Sequence, residues 1–435
     1  MQNYKQHIET LVDRLTVTLE GLPFDGVAVH SGQLHYFFAD DQYAPFQTNP
    51  HFAHWVPLAG PGHLVIARPG QRPKLLALIS EDYWYEPVTF DNPFWMNQFD
   101  YVQVVDSESL QREIGSASQL GFIGEATDVA ERLGFAADSI NDPALTAKLN
   151  WDRTVKTPYE IDCVDKAAEF AAIAHRAARD TFNSGGSEMQ IHHAYVGSLG
   201  CVDAELPYES IVALNEKGSF LHYVNKRDER DGSVLLIDSG ARYLGYASDI
   251  TRTWTRESAD PLFCEMRDAF DALEQELCEQ VRPELSFVDL HVIAHQEIGS
   301  FLSRFKILNI SSEEAFERGL TRPFFPHGLG HDLGIQVHDI AGRQANREGG
   351  TIDPPEEHPF LRTTRVLKPG NMMTVEPGCY FIEMLLRPFR TGPDSSAFNW
   401  ELIDRLKSHG GLRTEDDILV TVDGNKNLSR PYLPE

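Results

Sequence analysis

The first part of the chain alternates between two spacings of apolar residues. Near its beginning, apolar side chains recur every three or four positions, which predicts an amphipathic surface helix: Tyr4, Ile8, Leu11, Val12, Leu15 and Leu19. Farther along, short apolar runs predict strands at residues 26–30, 63–67, 74–79 and 120–124, followed by a helix at 128–133. We therefore expect a compact α/β domain over residues 1–155, without a recognisable catalytic cluster of its own.

The start of a second domain is marked by helix-capping residues. Thr157 and Glu160 have the spacing of a capping box, and Pro158 between them suits the first helical position. This pattern predicts a long helix that runs to about residue 182 and stops at the following glycines. The rest of the chain mixes further helix signals with antiparallel-looking strands. Because 435 residues exceed what one hydrophobic core usually spans, we expect an α+β protein with domains 1–155 and 156–435.

A β-hairpin with two aspartates is predicted by the alternating stretch VLLIDSGARYLGYASDITRTW. If Tyr243 and Leu244 form its loop, Asp238 lies directly opposite Asp249, with the two Cβ atoms ~5 Å apart. Like charges at that distance repel each other, so something positive is expected between them. One divalent cation, or a pair of cations, is the simplest solution.

Two further segments hold potential metal ligands. The glycine-rich segment PHGLGHDLG contains His327 and His331, and His338 follows a few residues later. In the segment TVEPG, Glu376 ends a strand-like run. A single residue of either kind is more often structural than functional. Three histidines beside a glycine-rich turn, however, favour a functional site.

The segment RTED adds Arg413 and Glu415, which are two residues apart and hence on the same face of a strand. Taken alone, this pair fits a surface ion pair as well as it fits a functional site. The combined ligand set is Asp238, Asp249, His331, Glu376 and Glu415. Oxygen ligands with a single nitrogen favour Mn²⁺, Co²⁺ or Fe²⁺ over a thiolate-bound zinc. Four carboxylates would balance two divalent ions, which is the arrangement that activates water in two-metal hydrolases.

Composition narrows the class of partners. The net charge of −27 argues against binding to nucleic acid or to an anionic membrane. No apolar run approaches the ~20 residues that cross a bilayer, and the N-terminal segment carries charges throughout, unlike a signal peptide. The five cysteines are scattered without a CxxC pair, so we expect neither disulfides nor zinc–thiolate sites, and a cytoplasmic location.

The ligands and their contexts resemble the metallopeptidases of the pita-bread fold, which include methionine aminopeptidase, aminopeptidase P and prolidase. The contexts are IDSGARYLGYASDITRT, FPHGLGHDLGIQVHD, TVEPG and RTED, and the resemblance covers residues 157–435. Methionine aminopeptidases lack a preceding α/β domain. The segments PYESIVALNEKGSFLHY and EGGTIDPPEEHPFLRTTRVLKPGN are similar to bacterial prolidases, or Xaa-Pro dipeptidases. The segment FFADDQYAPF extends the similarity to the subgroup called organophosphorus acid anhydrolases.

The resemblance implies a pita-bread catalytic domain with two divalent ions per subunit, by preference Mn²⁺. Asp238 would bind one ion, while Asp249 and Glu415 would bridge both. His331 and Glu376 would complete the shell of the second ion.

The resemblance also implies catalytic roles around those ligands. His222 would line the substrate site. His327 and His338 would hydrogen-bond the scissile carbonyl, the developing oxyanion or the product. Glu376 would pass a proton to the leaving proline nitrogen.

Three more residues receive substrate-related roles from the resemblance. Arg413 would orient Glu415 or the proline carboxylate of the substrate. Tyr208 would form part of the pocket wall. In a homodimer, Asp41 of the N-terminal domain would reach the active site of the other subunit.

The activity implied is hydrolysis of the bond to a C-terminal proline in dipeptides, by water activated between two metal ions. The alternative is an aminopeptidase P-like enzyme that acts on longer Xaa-Pro peptides, although the insertion EGGTIDPPEEHPF favours the dipeptidase. A nonenzymatic scaffold on the same fold predicts the loss of at least one ligand, and all five are present. Hydrolysis of organophosphorus esters and fluorides is expected as a promiscuous activity.

Overall fold

The computed structural model describes residues 3–84, 86, 91–230 and 232–434. The chain divides into two compact units. The first unit comprises Met1–Glu160 with Asn346–Gly350, and the second comprises Ile161–Ala345 with Thr351–Glu435. Helices and strands occur in both units, as the α+β expectation requires.

Helices and strands are interspersed from the beginning of the chain to its end. The α-helices are α1 (Tyr4–Leu19), α2 (Pro50–Trp55), α3 (Ser107–Ile114), α4 (Thr127–Arg132), α5 (Pro143–Arg153), α6 (Pro158–Asn183), α7 (Glu188–Leu199), α8 (Pro261–Gln280), α9 (Phe287–Arg304), α10 (Ser312–Glu317), α11 (Glu383–Leu386) and α12 (Trp400–Leu406). The β-strands are β1 (Gly26–His30), β2 (Leu64–Ala67), β3 (Lys74–Leu78), β4 (Asp100–Val104), β5 (Leu120–Ile123), β6 (Ile211–Leu214), β7 (Val234–Asp238), β8 (Arg242–Tyr243), β9 (Tyr246–Ala247), β10 (Thr251–Thr255), β11 (Gln344–Asn346), β12 (Gly349–Thr351), β13 (Met372–Val375), β14 (Gly378–Tyr380), β15 (Gly411–Arg413), β16 (Asp416–Val420) and β17 (Asn425–Asn427). Among the described residues, no helix combines the length and the apolar character that a bilayer crossing requires.

The first unit is built on a mixed five-stranded sheet in the order β4-β3-β2-β1-β5. Strand β2 runs antiparallel to both β1 and β3, whereas the outer strands β4 and β5 run parallel to their neighbours. The predicted helix α1 buries the face that its spacing indicated, including Tyr4, Ile8 and Leu15. The four predicted strands and the helix α4 are present, with ends that differ by about one residue from the prediction.

The start of helix α6 has the predicted capping box. The Thr157 backbone N–H donates to Glu160 Oε2 at 2.8 Å, and the Glu160 N–H donates to Thr157 Oγ1 at 3.4 Å. Farther along the same helix, fully buried alanines such as Ala171 and Ala178 pack with Leu235 and Ile237 of strand β7. Small side chains let the helix approach the sheet closely, which fixes the strand that carries the first candidate ligand.

The second unit contains two three-stranded sheets, in the orders β10-β7-β6 and β13-β16-β17. Helices α8 and α9 bury their aromatic and aliphatic faces in one large core with strands β13 and β16. A β-bridge between Thr251 and Glu415 joins strand β10 to the segment that precedes β16. The two sheets therefore meet at the residues on which the candidate ligands lie.

The predicted register of the aspartate hairpin is wrong by two residues. Strands β8 and β9 pair Tyr243 with Tyr246, so the turn is formed by Leu244 and Gly245, and Thr251 lies opposite Asp238. Both turn residues have positive φ, 50° and 92°, as a tight hairpin turn of the primed type requires. Glycine adopts a positive φ without strain, so the turn includes Gly245 and lies one position later than predicted.

A shift of two residues leaves each side chain on its original face, because side chains alternate along a strand with a period of two. Asp249 lies two residues before Thr251 and is therefore a diagonal neighbour of Asp238 rather than its direct partner. The two carboxylates still share one face of the hairpin.

Candidate metal centre and active site

The five predicted ligands come from separate elements and line one cavity of about 1340 Å³. Asp238 ends strand β7, and Asp249 lies between β9 and β10. Glu376 directly follows β13, and Glu415 lies between β15 and β16. His331 reaches the site from the glycine-rich segment, where its backbone N–H donates to Thr374 Oγ1. Residues far apart in sequence thus converge on one site.

The donor atoms of these ligands lie close together. His331 Nε2 is 3.3 Å from Asp249 Oδ2 and 3.8 Å from Glu376 Oε1. One donor atom from each of Asp249, His331 and Glu415 lies within 4.8 Å of the other two. The Tyr208 hydroxyl donates to Asp238 Oδ1 at 2.7 Å and also contacts Asp249 Oδ1. One hydroxyl therefore reaches both carboxylates of the hairpin.

Burial acts strongly on the carboxylates of the site. It raises the pKa of Glu376 to about 7 and the pKa of Glu415 well above its usual value. The pKa of Asp249 is raised by burial too, and the Asp238 charge raises it further. The pKa of His331 is raised. Burial by itself lowers the pKa of this imidazole, but the neighbouring carboxylates of Asp249 and Glu376 outweigh the effect of burial.

These shifts indicate that the chain itself supplies too little positive charge for four neighbouring carboxylates. Four oxygen donors and one imidazole are a ligand set that divalent cations complete. The residues present thus fit one or two divalent metal ions.

Arg413 and His327 are held in a hydrogen-bonded chain beside the ligands. Arg413 Nη2 donates to Asp238 Oδ2 at 2.8 Å, and Nη1 donates to the Tyr380 hydroxyl at 2.8 Å. His327 Nε2 lies 2.9 Å from that hydroxyl, and its Nδ1 lies 2.8 Å from the carbonyl of Gly328. Burial lowers the pKa of His327 to about 3, and the Arg413 charge lowers it too, so the ring is neutral.

The protonation of His327 follows from these contacts. A carbonyl oxygen can only accept, so Nδ1 carries the proton, and Nε2 accepts from the Tyr380 hydroxyl. Arg413 reaches Glu415 indirectly: its Nε is 3.3 Å from Thr251 Oγ1, which donates to Glu415 Oε2 at 2.6 Å.

His338 packs against the ligand histidine, His331. Its ring centre is 4.4 Å from that of His331, in an edge-to-face arrangement. Burial lowers the pKa of His338 to about 3, and the His331 charge lowers it too. A neutral imidazole at this position can donate one N–H to an oxygen in the cavity.

The three remaining predicted residues occupy different surroundings. His222 lines the cavity, as predicted. Tyr208 does more than form the wall, because it contacts two ligands; burial and the Asp238 charge raise its pKa well above the usual value, so the hydroxyl stays protonated. Asp41 is an exposed residue of the first unit.

Three residues that support the ligands were missed by the sequence analysis. Thr251 donates to Glu415, and Tyr380 connects Arg413 to His327. Asp417 accepts the Asp249 backbone N–H with both carboxylate oxygens at 3.2 Å. Spacing could have indicated two of them, because Thr251 and Asp417 each lie two residues beyond a ligand and so share its face.

Sequence comparison identifies similar proteins over both units. A model of metallopeptidase family M24 matches residues 162–422, and a model of the Xaa-Pro dipeptidase N-terminal domain matches residues 2–151. The Xaa-Pro dipeptidases of Salmonella newport and Salmonella dublin are each 39% identical to the chain over 433 residues. Each alignment covers 98% of this chain and 97% of the relative.

Structural comparison identifies the same architecture in solved proteins. Aminopeptidase P of Escherichia coli with the inhibitor Pro-Leu has a TM-score of 0.74 and 23% identity, over 98% of this chain and 95% of that chain. The zinc-substituted form in complex with product has a TM-score of 0.73 and 22% identity, over 98% and 95%. At this identity the likeness concerns the fold. It confirms the expected pita-bread architecture preceded by an α/β domain.

Proposed function

This chain belongs to metallopeptidase family M24, and from that membership we propose that it is an Xaa-Pro dipeptidase. The substrate would be a dipeptide, and the bond hydrolysed would be the amide to its C-terminal proline. The observation that carries the proposal is the convergence of all five candidate ligands on one cavity. Similarity to Xaa-Pro dipeptidases over nearly the whole chain, including the N-terminal domain, supports it.

We propose that Asp238, Asp249, His331, Glu376 and Glu415 hold two divalent ions. Mn²⁺ is the preferred candidate, because the donor set consists mainly of carboxylate oxygens. Bound divalent ions supply Lewis acidity and lower the pKa of water, which makes a nucleophile available near neutral pH.

The side chains around the ligands would then divide the remaining work. His338 is the better candidate to donate to the developing oxyanion, because the one N–H of His327 is already used by the Gly328 carbonyl. Glu376, directly after β13, would carry a proton to the proline nitrogen. The C–N bond can break only once that nitrogen is protonated, because an unprotonated nitrogen would have to leave as a strongly basic anion.

Arg413 would act as a positioning residue. It fixes Asp238 through one nitrogen and the Tyr380–His327 pair through another. The role of a direct ligand for the proline carboxylate is less well supported, since all three of its guanidinium nitrogens already have partners. His222, which lines the cavity, is proposed to contact the substrate.

The alternative of an aminopeptidase P-like specificity can be tested directly. Initial rates for Ala-Pro and Ala-Pro-Ala should be compared with the Mn²⁺-loaded enzyme over a range of substrate concentrations. The dipeptidase proposal expects kcat/KM at least about tenfold higher for Ala-Pro, equivalent to ~1.4 kcal/mol of transition-state stabilisation. A preference for the tripeptide would assign the chain to the aminopeptidase type.

Four further features stay proposals. A cytoplasmic location rests on the scattered cysteines, and the division of the domains at residue 155 rests on the helix-capping pattern that follows it. A homodimer in which Asp41 reaches the other subunit's site, and promiscuous hydrolysis of organophosphorus esters and fluorides, rest on the resemblance. Asp41 is exposed, as a contact to another subunit requires. Sedimentation analysis tests the dimer, and Asp41→Ala should raise KM for Ala-Pro if the contact exists. An unchanged KM in a dimeric protein would remove that role.

A further inference from the structure

A second group of metal-binding side chains lies in the second unit, outside the carboxylate site. It consists of His291, His295 and His358, which we call the histidine cluster. His291 and His295 are one turn apart on α9, so they share one face of the helix. One ring nitrogen from each of the three histidines lies within 4.8 Å of the other two. The ring centres are 4.4 to 4.8 Å apart.

The histidine cluster is buried and neutral. His291 and His295 are each 1% exposed, and His358 is partly buried. Burial lowers the pKa of His291 to about 2 and that of His295 to about 3, and neighbouring histidines lower both further. The pKa of His358 is also lowered by burial and by Arg322, although Glu357 opposes the shift. Neutral imidazole is the form that binds a metal ion.

A hydrogen bond orients the His295 ring, whereas one nitrogen of His291 has no hydrogen-bond partner among the described residues. His295 Nδ1 lies 2.9 Å from Thr321 Oγ1, so its Nε2 is the nitrogen left for a ligand. A hydroxyl that holds the second nitrogen of a histidine is a common support for metal binding. His291 Nδ1 is buried and has no hydrogen-bond partner among the described residues. An unsatisfied buried nitrogen is unfavourable unless something else binds it.

We propose that the histidine cluster binds one transition-metal ion of the zinc type, with water as an additional ligand. Three imidazoles without a carboxylate favour Zn²⁺, Ni²⁺ or Cu²⁺ over the Mn²⁺ expected at the carboxylate site. Nitrogens bound tetrahedrally to Zn²⁺ at ~2.1 Å lie about 3.4 Å apart, so rotations of the side chains complete the site.

The bound ion would tie a loop to the helix behind it. His358 precedes Pro359 and Phe360, and both of these residues line the cavity of the carboxylate site. Phe325 packs on His295 on one side, with ring centres 4.9 Å apart, and on His327 on the other at 4.9 Å. Occupancy of the histidine cluster would therefore hold one wall of the substrate cavity in place. This consequence does not depend on which peptide the enzyme cleaves.

Zinc content tests the proposal in the full-length protein. Parent, His358→Ala and His193→Ala proteins are dialysed against the same free Zn²⁺ concentrations and analysed by mass spectrometry of the metal. His193 is exposed on α7 and controls for the loss of one histidine. The parent and His193→Ala should each bind one more Zn²⁺ than His358→Ala, whose affinity at this site should fall more than about 100-fold. Equal binding curves for all three proteins would overturn the proposal.

Hydrogen exchange provides a readout that a folding defect would not imitate. Zn²⁺ should slow exchange in residues 352–358 of the parent and of His193→Ala, and should slow it less in His358→Ala, where only the carboxylate site binds Zn²⁺. His358 is only partly buried on a loop, so its replacement leaves the helix and core intact, which the metal-free unfolding temperature verifies. Slowed exchange in His358→Ala equal to that in the parent would contradict a role of this cluster.

Discussion

Glu415 and Asp416 are adjacent residues, both buried, and the chain treats their charges in opposite ways. Asp416 Oδ1 accepts from Arg252 at 2.7 Å, and its Oδ2 accepts from Arg430 at 2.7 Å. Burial raises the pKa of Asp416, but the two arginines outweigh burial and hold it below its usual value. Burial also raises the pKa of Glu415, and there the neighbouring carboxylate of Asp249 adds to the shift.

The difference arises from the alternation of side chains along a strand, which directs neighbouring residues to opposite faces. On one face, guanidinium groups of the chain compensate the buried carboxylate. On the other face, Arg413 forms an ion pair with Asp238 and its charge also lowers the pKa of Glu376, but among the described residues no arginine lies within ion-pair distance of Asp249, Glu376 or Glu415. A charge compensated by the chain serves the fold, while an uncompensated one serves a ligand of opposite charge. The excess of buried negative charge at Asp249, Glu376 and Glu415 supports the proposed metal site, whereas Glu274, whose pKa burial and the Asp416 charge raise to about 8, still shares Arg430 with Asp416.

The largest expected effect comes from removing a ligand. Asp249→Asn should lower kcat for Ala-Pro about 1000-fold or more, because it would remove one charged residue of the proposed ligand set, worth several kcal/mol in the transition state. Turnover of the purified variant in excess Mn²⁺ measures this effect.

The matched control for that variant is Asp423→Asn, because Asp423 is exposed. It should retain parental turnover, and both variants should keep the parental circular dichroism. Wild-type turnover in Asp249→Asn would remove this residue from the site.

Replacing Asp416, on the opposite face of the strand, should lower the stability of the protein rather than its catalytic rate. Asp416→Asn leaves Arg252, which is 2% exposed, without its charged partner and should lower the free energy of unfolding by about 3–5 kcal/mol. Denaturant titration of the Mn²⁺-loaded protein gives this value. If Asp416→Asn instead lost bound Mn²⁺ at unchanged stability, the two faces would not differ as described.

Metal-free protein should show an unusual dependence on pH. The pKa of Glu376 is about 7 in the folded metal-free chain and ~4.3 when unfolded, so the folded form binds more protons between these values. Its contribution to stability is present below pH ~4.3 and is lost as the pH rises towards 7, because the slope of stability with pH is then negative. Denaturant titrations of chelator-treated protein at pH 5, 6 and 7 measure the slope.

Buried histidines of the first unit, such as His30 with a pKa lowered to about 4, add a slope of opposite sign. Their contribution is present above pH ~6.5 and is lost as the pH falls towards 4. Subtracting the series for Glu376→Gln isolates the glutamate. A Glu376→Gln variant with the parental slope would show that this carboxylate is not responsible.

The smallest effect is expected from a supporting hydroxyl. Thr251→Val keeps the shape of the side chain but removes the hydrogen bond to Glu415, so Mn²⁺ affinity should fall about tenfold. Activity measured against free Mn²⁺ should shift its midpoint while the maximal rate changes little. Thr255→Val, at the partly buried end of the same strand, is the control. An equal shift in both variants would indicate a general effect on β10.

Local patterns were sufficient for much of the fold and for the ligand set. Helical spacing predicted α1, and a capping box predicted the start of α6. The hairpin was predicted with its turn misplaced by one residue, because the pattern of apolar residues fits two registers of the same parity. The two registers differ in which residues form the turn, and the turn requires positive φ at Leu244 and Gly245. The glycine at position 245 was the sequence signal that could have indicated the correct register.

Contacts between distant segments could not be predicted in this way. Tyr380 connects Arg413 to His327 only because β14 pairs with β15. His358 joins α9 from a loop whose path depends on tertiary packing rather than on local spacing. Such residues carry no periodic signal, since their neighbours in sequence take no part in the same contact.

We expect the uncompensated carboxylates to bind two catalytic ions. Metal-free protein titrated with Mn²⁺, with bound Mn²⁺ and Ala-Pro hydrolysis measured in the same samples, tests this expectation. Mn²⁺ is the suitable ion because it binds weakly to imidazole sites such as the histidine cluster. We expect two Mn²⁺ per chain and hydrolysis that reaches its maximum as the second ion binds. Full hydrolysis in protein that retains no metal, or no Mn²⁺ bound at saturating concentration, would contradict it.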